Sequence, residues 1–526
     1  MSYPGPEPME LDRQLCSRAR LARDARFDGR FFIAVLTTGI YCRPICRTRS
    51  SKETNVRYFP TAAAAAEAGF RPCLRCRPEC SPGCPAWAGT QTTVARALRL
   101  ISETGLEDGG VEGLAEHLGV GARHLRRLFL RHLGASPSAV AQTRRLHFAK
   151  QLIDETALPM LQVALAAGFG CARRFNDAIR KVYHRTPTQI RRLARQTVKQ
   201  PENAYLFHLD FRPPYNWKRM LEFLAARATP GVEDVQAGRY RRSIFLNGHQ
   251  GYLEVGLEVE RNALSVCVQF DDPRALFFII GRVRAMFDLS ADWSLIAKAL
   301  RADALLARSV QAEAGLRVPG CWNGFELTTR AVLGQQVSVK AATTLAGRIA
   351  AAFGQRFSPA AGLTHLFPTS EILADADLTR VGLTRARGET IRAFARAVCD
   401  GRVRFEGVVD DRALRAQLRE VPGIGKWTVE YVAMRALCDP DAFPAGDLHL
   451  RRKAGGCTER ELESRSESWR PWRAYATMLL WQGSAIEERG RAPSGRQLSP
   501  VNRIAAGSPL ARAGIRERRI DAPETK

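Results

Sequence analysis

Residues 421–447, VPGIGKWTVEYVAMRALCDPDAFPAGD, restrict this chain more than any other stretch. A Pro-Gly-x-Gly turn joins two helical patterns, and a lone carboxylate, Asp447, follows the second. Glycine supplies the backbone freedom such a turn needs. The N–H groups of the turn then open at a helix start, which suits a phosphate. A carboxylate beyond the second helix would face a sugar carbon of the same nucleic-acid strand. A plain helical hairpin would carry the same glycines, so the surrounding chain has to decide.

The charge points the same way. A net charge of +26 over 526 residues calls for a polyanionic partner, most simply nucleic acid. The basic residues are spread along the chain, several of them in predicted helices, rather than gathered in a tail. The opening MSYPGPEPMELD has neither a basic n-region nor an apolar h-region. No apolar run is long enough to span a bilayer, because RALFFIIGRVR is interrupted by arginines. The expectation is a cytoplasmic, nucleoid-associated protein with no membrane partner. Thirteen cysteines, an odd number in a reducing compartment, argue against a disulfide framework. Six of them fall between Cys42 and Cys84, and such clustering argues for metal.

Patterning divides the chain into segments. Residues 1–85 hold the cysteines and end in a turn-rich SPGCPAWAG. Residues 90–195 read as helices. Between 204 and 288 short runs alternate: Tyr205, Phe207, Leu209 and Phe211 against Leu206, His208 and Asp210, with NWKRMLEFLAARA as an amphipathic helix. Helical patterns return over 289–486, and 487–526, rich in Arg, Ser, Gly and Pro, read as a disordered tail.

In the first block the spacing is Cys42-x3-Cys46, then Cys73-x2-Cys76. Two thiolate pairs brought together make a tetrahedral four-sulfur site, for which zinc is the default occupant. Cys80 and Cys84 follow at the same short interval and compete as ligands. The surrounding words, ARDARFDGRFFIAVLTTGIYCRPICRTR and NVRYFPTAAAAAEAGFRPCLRCRPE, resemble the N-terminal domain of bacterial Ada proteins, repairers of methyl phosphotriesters. That resemblance implies one Zn2+, with Cys42 as methyl acceptor and Cys46, Cys73 and Cys76 as permanent ligands. Zinc keeps a thiol deprotonated at neutral pH, so a nucleophile exists. A dication and four thiolates sum to two net negative charges, and a methyl on one sulfur leaves one. DNA binding should strengthen accordingly.

An internal repeat follows. LAEHLGVGARHLRRLFLRHLGASP, from Leu114, recurs as ALAAGFGCARRFNDAIRKVYHRTP, aligning Arg123 with Arg173, Leu125 with Phe175 and Pro137 with Pro187. Each copy is an apolar helix, a glycine turn and a basic helix, the helix-turn-helix pattern. Two in tandem resemble the AraC-type DNA-binding domain. Groove-facing candidates are Arg123, His124 and Arg127 in the first copy, and Arg173, Arg174 and Asn176 in the second. A solvated basic face is the alternative for each.

From 204 onward the chain resembles the AlkA family of 3-methyladenine DNA glycosylases, in AVLGQQVSVKAA, VPGIGKWTVEYVAMRAL, FPAGDLHLRRK and WRPWRAYATMLLW. The resemblance implies that Asp447 is catalytic, although an aspartate after glycine also suits a helix N-cap. Trp427, Tyr431 and Trp481 would form the base pocket, while Trp469 and Trp472 would pack helices. Gly423 and Gly425 would meet phosphate, with a monovalent cation at the hairpin, and Gln335 and Gln336 would lie on DNA. Lys426 stands one place before the lyase lysine of bifunctional relatives, so Schiff-base chemistry is not expected. Where the family uses a leucine wedge, this chain has Gln336.

The resulting fold class is multidomain and mainly α with α+β parts. It comprises a small zinc-binding α/β domain, a tandem helix-turn-helix domain, and an α/β subdomain with a helix-hairpin-helix glycosylase domain. The expected function is a regulator and repair enzyme that accepts methyl at Cys42, activates transcription and hydrolyses the N-glycosidic bond of alkylated bases. Its expected partners are alkylated double-stranded DNA, promoter DNA and RNA polymerase. The alternative is a methyl-sensing regulator whose C-terminal half binds DNA without catalysis.

Overall fold

The computed structural model describes residues 11–82, 93–103, 109–193, 203–405 and 411–490. Cys84 and nearly all of the tail lie outside the described residues. The N-terminal module is a four-stranded sheet of β1 (Phe32–Val35), β2 (Ile40–Cys42), β3 (Val56–Phe59) and β4 (Arg71–Pro72), in the order β3-β1-β2-β4. Two helices flank it, α1 (Arg13–Leu21) and α2 (Ala62–Glu67), capped by the side chains of Asp12 and Thr61. β4 runs parallel to β2, and the Cys73 amide donates to the Tyr41 carbonyl at 3.0 Å. That pairing brings the two cysteine turns to one end of the sheet.

Seven helices follow among the described residues: α3 (Thr93–Glu103), α4 (Gly110–His117), α5 (Ala122–Leu133), α6 (Pro137–Glu155), α7 (Met160–Ala166), α8 (Ala172–Tyr183) and α9 (Pro187–Leu193). The sequence repeat is a structural one, since α5 and α8 start fifty residues apart. Leu125, Phe129 and Leu133 line the buried face of α5, and Phe175, Ile179 and Tyr183 that of α8. Burying each large ring contributes roughly 1.5–3 kcal/mol. Both helices end on a left-handed residue, Gly134 in one copy and His184 in the other. The packing of the two copies diverges. The first shares its apolar cluster with Ala63 and Ala64 of α2. The second, through Leu146 and Phe148 of α6, belongs to the cluster of the C-terminal half.

That half begins with an antiparallel sheet of β5 (Ala204–Asp210), β6 (Glu233–Gln236), β7 (Arg239–Leu246), β8 (His249–Glu258) and β9 (Ala263–Phe270), in the order β5-β9-β8-β7-β6. The helices α10 (Trp217–Ala225) and α11 (Leu276–Met286) belong with it. Alternation in β5 is less strict than its sequence suggests, because His208 is buried along with Phe207 and Leu209. The reason is α6: its Gln151 donates to the His208 carbonyl and its Glu155 faces the imidazole. All of RALFFIIGRVR but its first two residues lies in α11, and no described helix is long and apolar enough to cross a membrane.

The remainder is helical: α12 (Trp293–Leu300), α13 (Ala304–Ala312), α14 (Gly324–Leu333), α15 (Val339–Phe353), then the hairpin β10 (Arg356–Ala360) and β11 (Leu363–His365). After it come α16 (Ser370–Asp375), α17 (Arg385–Cys399), α18 (Asp411–Glu420), α19 (Lys426–Arg435), α20 (Leu448–Lys453), α21 (Glu459–Ser466) and α22 (Arg473–Gly490). A buried ionic knot fixes α14 on the sheet. Arg330 bonds Glu233 at 2.7 Å and Glu326 at 2.9 Å, Arg242 bonds Glu326 at 2.8 Å, and the Tyr240 hydroxyl donates to Glu233 at 2.6 Å. Deleting one member would strand a buried charge, at a cost of about 3–5 kcal/mol. The knot thereby positions the loop after α14, where Gln335 and Gln336 stand.

Candidate active site and metal centre

α18 and α19 are the two helices read from the sequence, anchored through Leu414, Leu418, Val429 and Val432. Between them Gly423 has φ +87°, and a Cβ there would lie 2.2 Å from the Thr390 hydroxyl. Only glycine fits. Gly425 is the N-cap of α19, and no side chain caps that helix start. Its first amides therefore face outward beside exposed Gly423 and Gly425. Lys426 points to Glu459 at 2.9 Å and to Glu463, hydrogen bonds that raise its pKa. A lysine held protonated this way is a poor amine nucleophile.

One turn along α19, Trp427 and Tyr431 stack with ring centroids 5.2 Å apart and planes 10° apart. Trp481 of α22 closes the cluster, its centroid 6.3 Å from that of Tyr431. Asp447 caps α20, its Oδ1 accepting the Leu450 amide at 2.9 Å. The same carboxylate accepts the Trp427 indole N–H on Oδ2 at 2.9 Å and the Trp481 N–H on Oδ1 at 3.4 Å. Cap and aromatic wall thus converge on one half-exposed carboxylate. Trp469 and Trp472 are buried elsewhere, Trp469 against Asp303 and Trp472 against Tyr475.

Behind the rings lies a cluster that sequence reasoning missed. Arg435, four residues after Tyr431, donates to its hydroxyl at 2.7 Å and to the carbonyls of Pro319 and Gly320 at 2.9 Å each. Burial raises the Tyr431 pKa, but Arg435 and Arg227 outweigh it and hold the phenol below its ordinary value. The i, i+4 spacing made Arg435 findable. Arg227 stands two residues past the end of α10, and nothing local announces it.

The two glutamines separate in role. Gln335 donates to the Gly423 carbonyl at 3.0 Å and the Thr428 hydroxyl at 3.2 Å, while Arg387 holds its carbonyl at 2.7 Å. It clasps the loop to the hairpin. Gln336 is exposed at φ +58°, projecting from the clasped loop.

In the N-terminal module the sulfurs of Cys42, Cys46, Cys73 and Cys76 lie within 4.8 Å of one another. Cys80 is buried apart from them. Hydrogen bonds among the four draw Cys46 down and Cys73 to about 6, and push Cys42 and Cys76 up. A donor set of this kind fits one tetrahedral Zn2+. Cys42 is only 9% exposed. In the helix-turn-helix pair, Arg123, His124, Arg127, Arg173 and Arg174 are exposed and Asn176 half-buried, and Arg127 donates to His124 at 3.0 Å.

The hairpin with its aromatic wall and carboxylate defines a helix-hairpin-helix base-excision protein, carried behind a four-cysteine domain and a DNA reader. Sequence profiles agree: the metal-binding domain of Ada matches residues 15–79, a helix-turn-helix domain 114–193, the AlkA N-terminal domain 206–323, and the HhH-GPD superfamily of base excision DNA repair proteins 329–472. Over 481 residues, 90% of this chain and 97% of the relative, the chain is 43% identical to a probable bifunctional transcriptional activator/DNA repair enzyme AlkA of Mycobacterium tuberculosis. It belongs to that family. It is also 32% identical over 279 residues to DNA-3-methyladenine glycosylase 2 of Escherichia coli, covering 52% of this chain and 96% of the relative. The bifunctional activator and repair enzyme Ada of the same organism is 41% identical over 126 residues, 24% of this chain and 34% of that one.

Proposed function

We propose that this chain senses methyl damage, activates transcription and excises alkylated bases, with Asp447 as the catalytic carboxylate and Cys42 as the methyl acceptor. The modules take residues 1–85, 90–195, 204–288 and 289–486. In excision an alkylated purine leaves the stack and enters beside Trp427, Tyr431 and Trp481. A cationic base such as 3-methyladenine already carries the charge that makes it a good leaving group. Its electron-poor ring favours stacked aromatics. As the bond from base nitrogen to sugar C1′ breaks, the departing base keeps the electron pair, and positive charge develops on the sugar. Asp447 stabilises that charge and orients the water that adds to C1′. The hairpin amides at Gly423 and Gly425 hold the DNA phosphate. A monovalent cation at the hairpin would help to hold that phosphate. Gln336 fills the gap left by the extruded base.

The cysteine set would hold Zn2+, which keeps its thiolates deprotonated. Arg123, His124, Arg127, Arg173, Arg174 and Asn176 read promoter DNA, and the reader contacts RNA polymerase. The protein works in the cytoplasm, on the nucleoid. One observation carries the enzymatic reading: Asp447 receives an indole N–H on each oxygen beside an uncapped helix start. Release of 3-methyladenine from methylated duplex DNA tests it. Asp447→Asn should lower the rate by at least about 100-fold. Release that survives this change would take the catalytic role from Asp447, and no release by folded wild type would leave a regulator without catalysis.

A further inference from the structure

The cysteine cluster is wired to the rest of the molecule through the arginines that follow its first and last members. Arg77, after Cys76, reaches α6, bonding Glu155 at 2.9 Å and Asp154 at 3.3 Å. Arg43, after Cys42, reaches the glycosylase half. It is 4% exposed, its Nε lies 2.9 and 3.1 Å from the Asp28 carboxylate, and its Nη2 bonds Asp210 at the end of β5 at 2.7 Å. Its Nη1 donates to the carbonyls of Cys76 and Arg77 at 3.3 and 3.4 Å, and its backbone N–H to the Cys76 sulfur at 3.4 Å. From the other side Arg212 donates to the Asp28 carbonyl at 2.8 Å, and Arg30 pairs with Asp292.

This contact is ionic rather than apolar. Among residues 11–82, Leu74 alone packs against the large apolar cluster. Beside the contact opens a cleft of about 910 Å³, lined by Gly29, Glu79, His147 and Arg284 among others. A junction built from charge-assisted hydrogen bonds depends on geometry far more than a greasy one does.

Cys42 is buried in this structure, 9% exposed. Methyl transfer needs its thiolate to attack the methyl carbon of a phosphotriester directly. The S–C bond forms as the C–O bond breaks, and the electron pair stays on the phosphate oxygen, leaving an anionic diester. A DNA strand cannot readily present that carbon to a sulfur so little exposed, so the site has to open before it reacts. Once formed, the thioether is bulkier by a methyl group in a packed site, and packed sites yield by moving neighbours. Arg43 is the next residue in the chain, and its backbone N–H already bonds the Cys76 sulfur of the same cluster.

We propose that the Cys42–Arg43 step is a latch: the module docks through Arg43 and Asp210 with Cys42 covered, opens to accept the methyl group, and once methylated does not re-dock. The methyl group discriminates between the two arrangements, which is what shifting their populations requires. The proposal rests on Cys42 being the acceptor.

Hydrogen exchange of the full zinc-loaded chain tests it, before and after reaction with an oligonucleotide bearing one methyl phosphotriester, with the DNA then removed. Amides of 28–31 and 204–212 should exchange at least about tenfold faster after methylation, the factor expected for losing a charge-assisted hydrogen bond. Asp210→Asn, never methylated, should show the same faster exchange and should accept methyl faster than wild type. Unchanged exchange in a chain whose Cys42 peptide carries the methyl group would overturn the latch. A chain that takes no methyl at Cys42 overturns the latch and the acceptor assignment together, and peptide mass tells the two failures apart. Because the comparison before and after methylation uses wild type, it stands even where Asp210→Asn does not fold.

Discussion

Asp447 is held by three donors of different origin: its own helix start, the wall of α19 and the wall of α22. Trp427 is therefore more than a stacking surface, and the two roles can be separated. Phenylalanine keeps a ring and loses the N–H. Trp427→Phe should lower kcat about tenfold while KM stays within about twofold, the signature of losing a hydrogen bond to a charged group that matters in the transition state. A rise in KM with kcat intact would assign Trp427 to binding alone. At this scale legibility tracked distance along the chain. Trp427 and Tyr431 share a face by helical spacing alone, and Arg435 continues it. Trp481 entered by resemblance only, since no local pattern says that α22 returns to the hairpin. Gln335 is expected on DNA through the resemblance alone. Its bond to the Gly423 carbonyl, made across 88 residues, has no sequence signature.

The hairpin and its supports show what an element tolerates. At Gly423 both the positive φ and the Thr390 hydroxyl exclude a side chain. Gly423→Ala should weaken binding to duplex DNA about tenfold or more, because the left-handed backbone costs roughly 1–2 kcal/mol and the turn must also move off Thr390. A filter-binding titration checks this, and wild-type affinity would show that the turn does not touch phosphate. A second support is Asp288, beyond the end of α11. Its Oδ2 accepts the Tyr475 hydroxyl of α22 at 2.6 Å and the Val318 amide at 3.3 Å. Burial pushes its pKa up to about 6, with Arg317 opposing. The folded state thus holds this proton more tightly than the unfolded chain, whose aspartates titrate near pH 4. The stability Asp288 contributes is present in full below about pH 4 and is lost as pH rises through about 6. Asp288→Asn should remove that loss, so the variant's urea midpoint should gain on wild type between pH 4 and pH 7. An identical difference at both pH values would refute the assignment.

For the whole molecule, the four-cysteine module should depend on its metal while the glycosylase half does not. A chelator should abolish methyl acceptance and melt residues 11–82, yet leave 3-methyladenine release within about threefold, because structural zinc contributes folding energy only to the domain that binds it. Release that falls with methyl acceptance would instead show that the glycosylase half needs the zinc-bound module. The fold class was legible, because cysteine spacing, a fifty-residue repeat, strand alternation and the hairpin are local patterns. The joints between modules were not, because Arg43 and Asp210 or Arg77 and Glu155 are ordinary charged residues until the chain is folded.

The shared apolar cluster carries a consequence for anyone who would cut this chain. Phe148 of α6 lies against Phe207, with centroids 6.4 Å apart, and against Phe277 at 5.1 Å. Scissors placed at the sequence boundary near residue 200 would pass through that oil, not beside it. A glycosylase fragment so made would wear a sticky scar where α6 had lain, and would need polar replacements at the exposed rings to stay in solution.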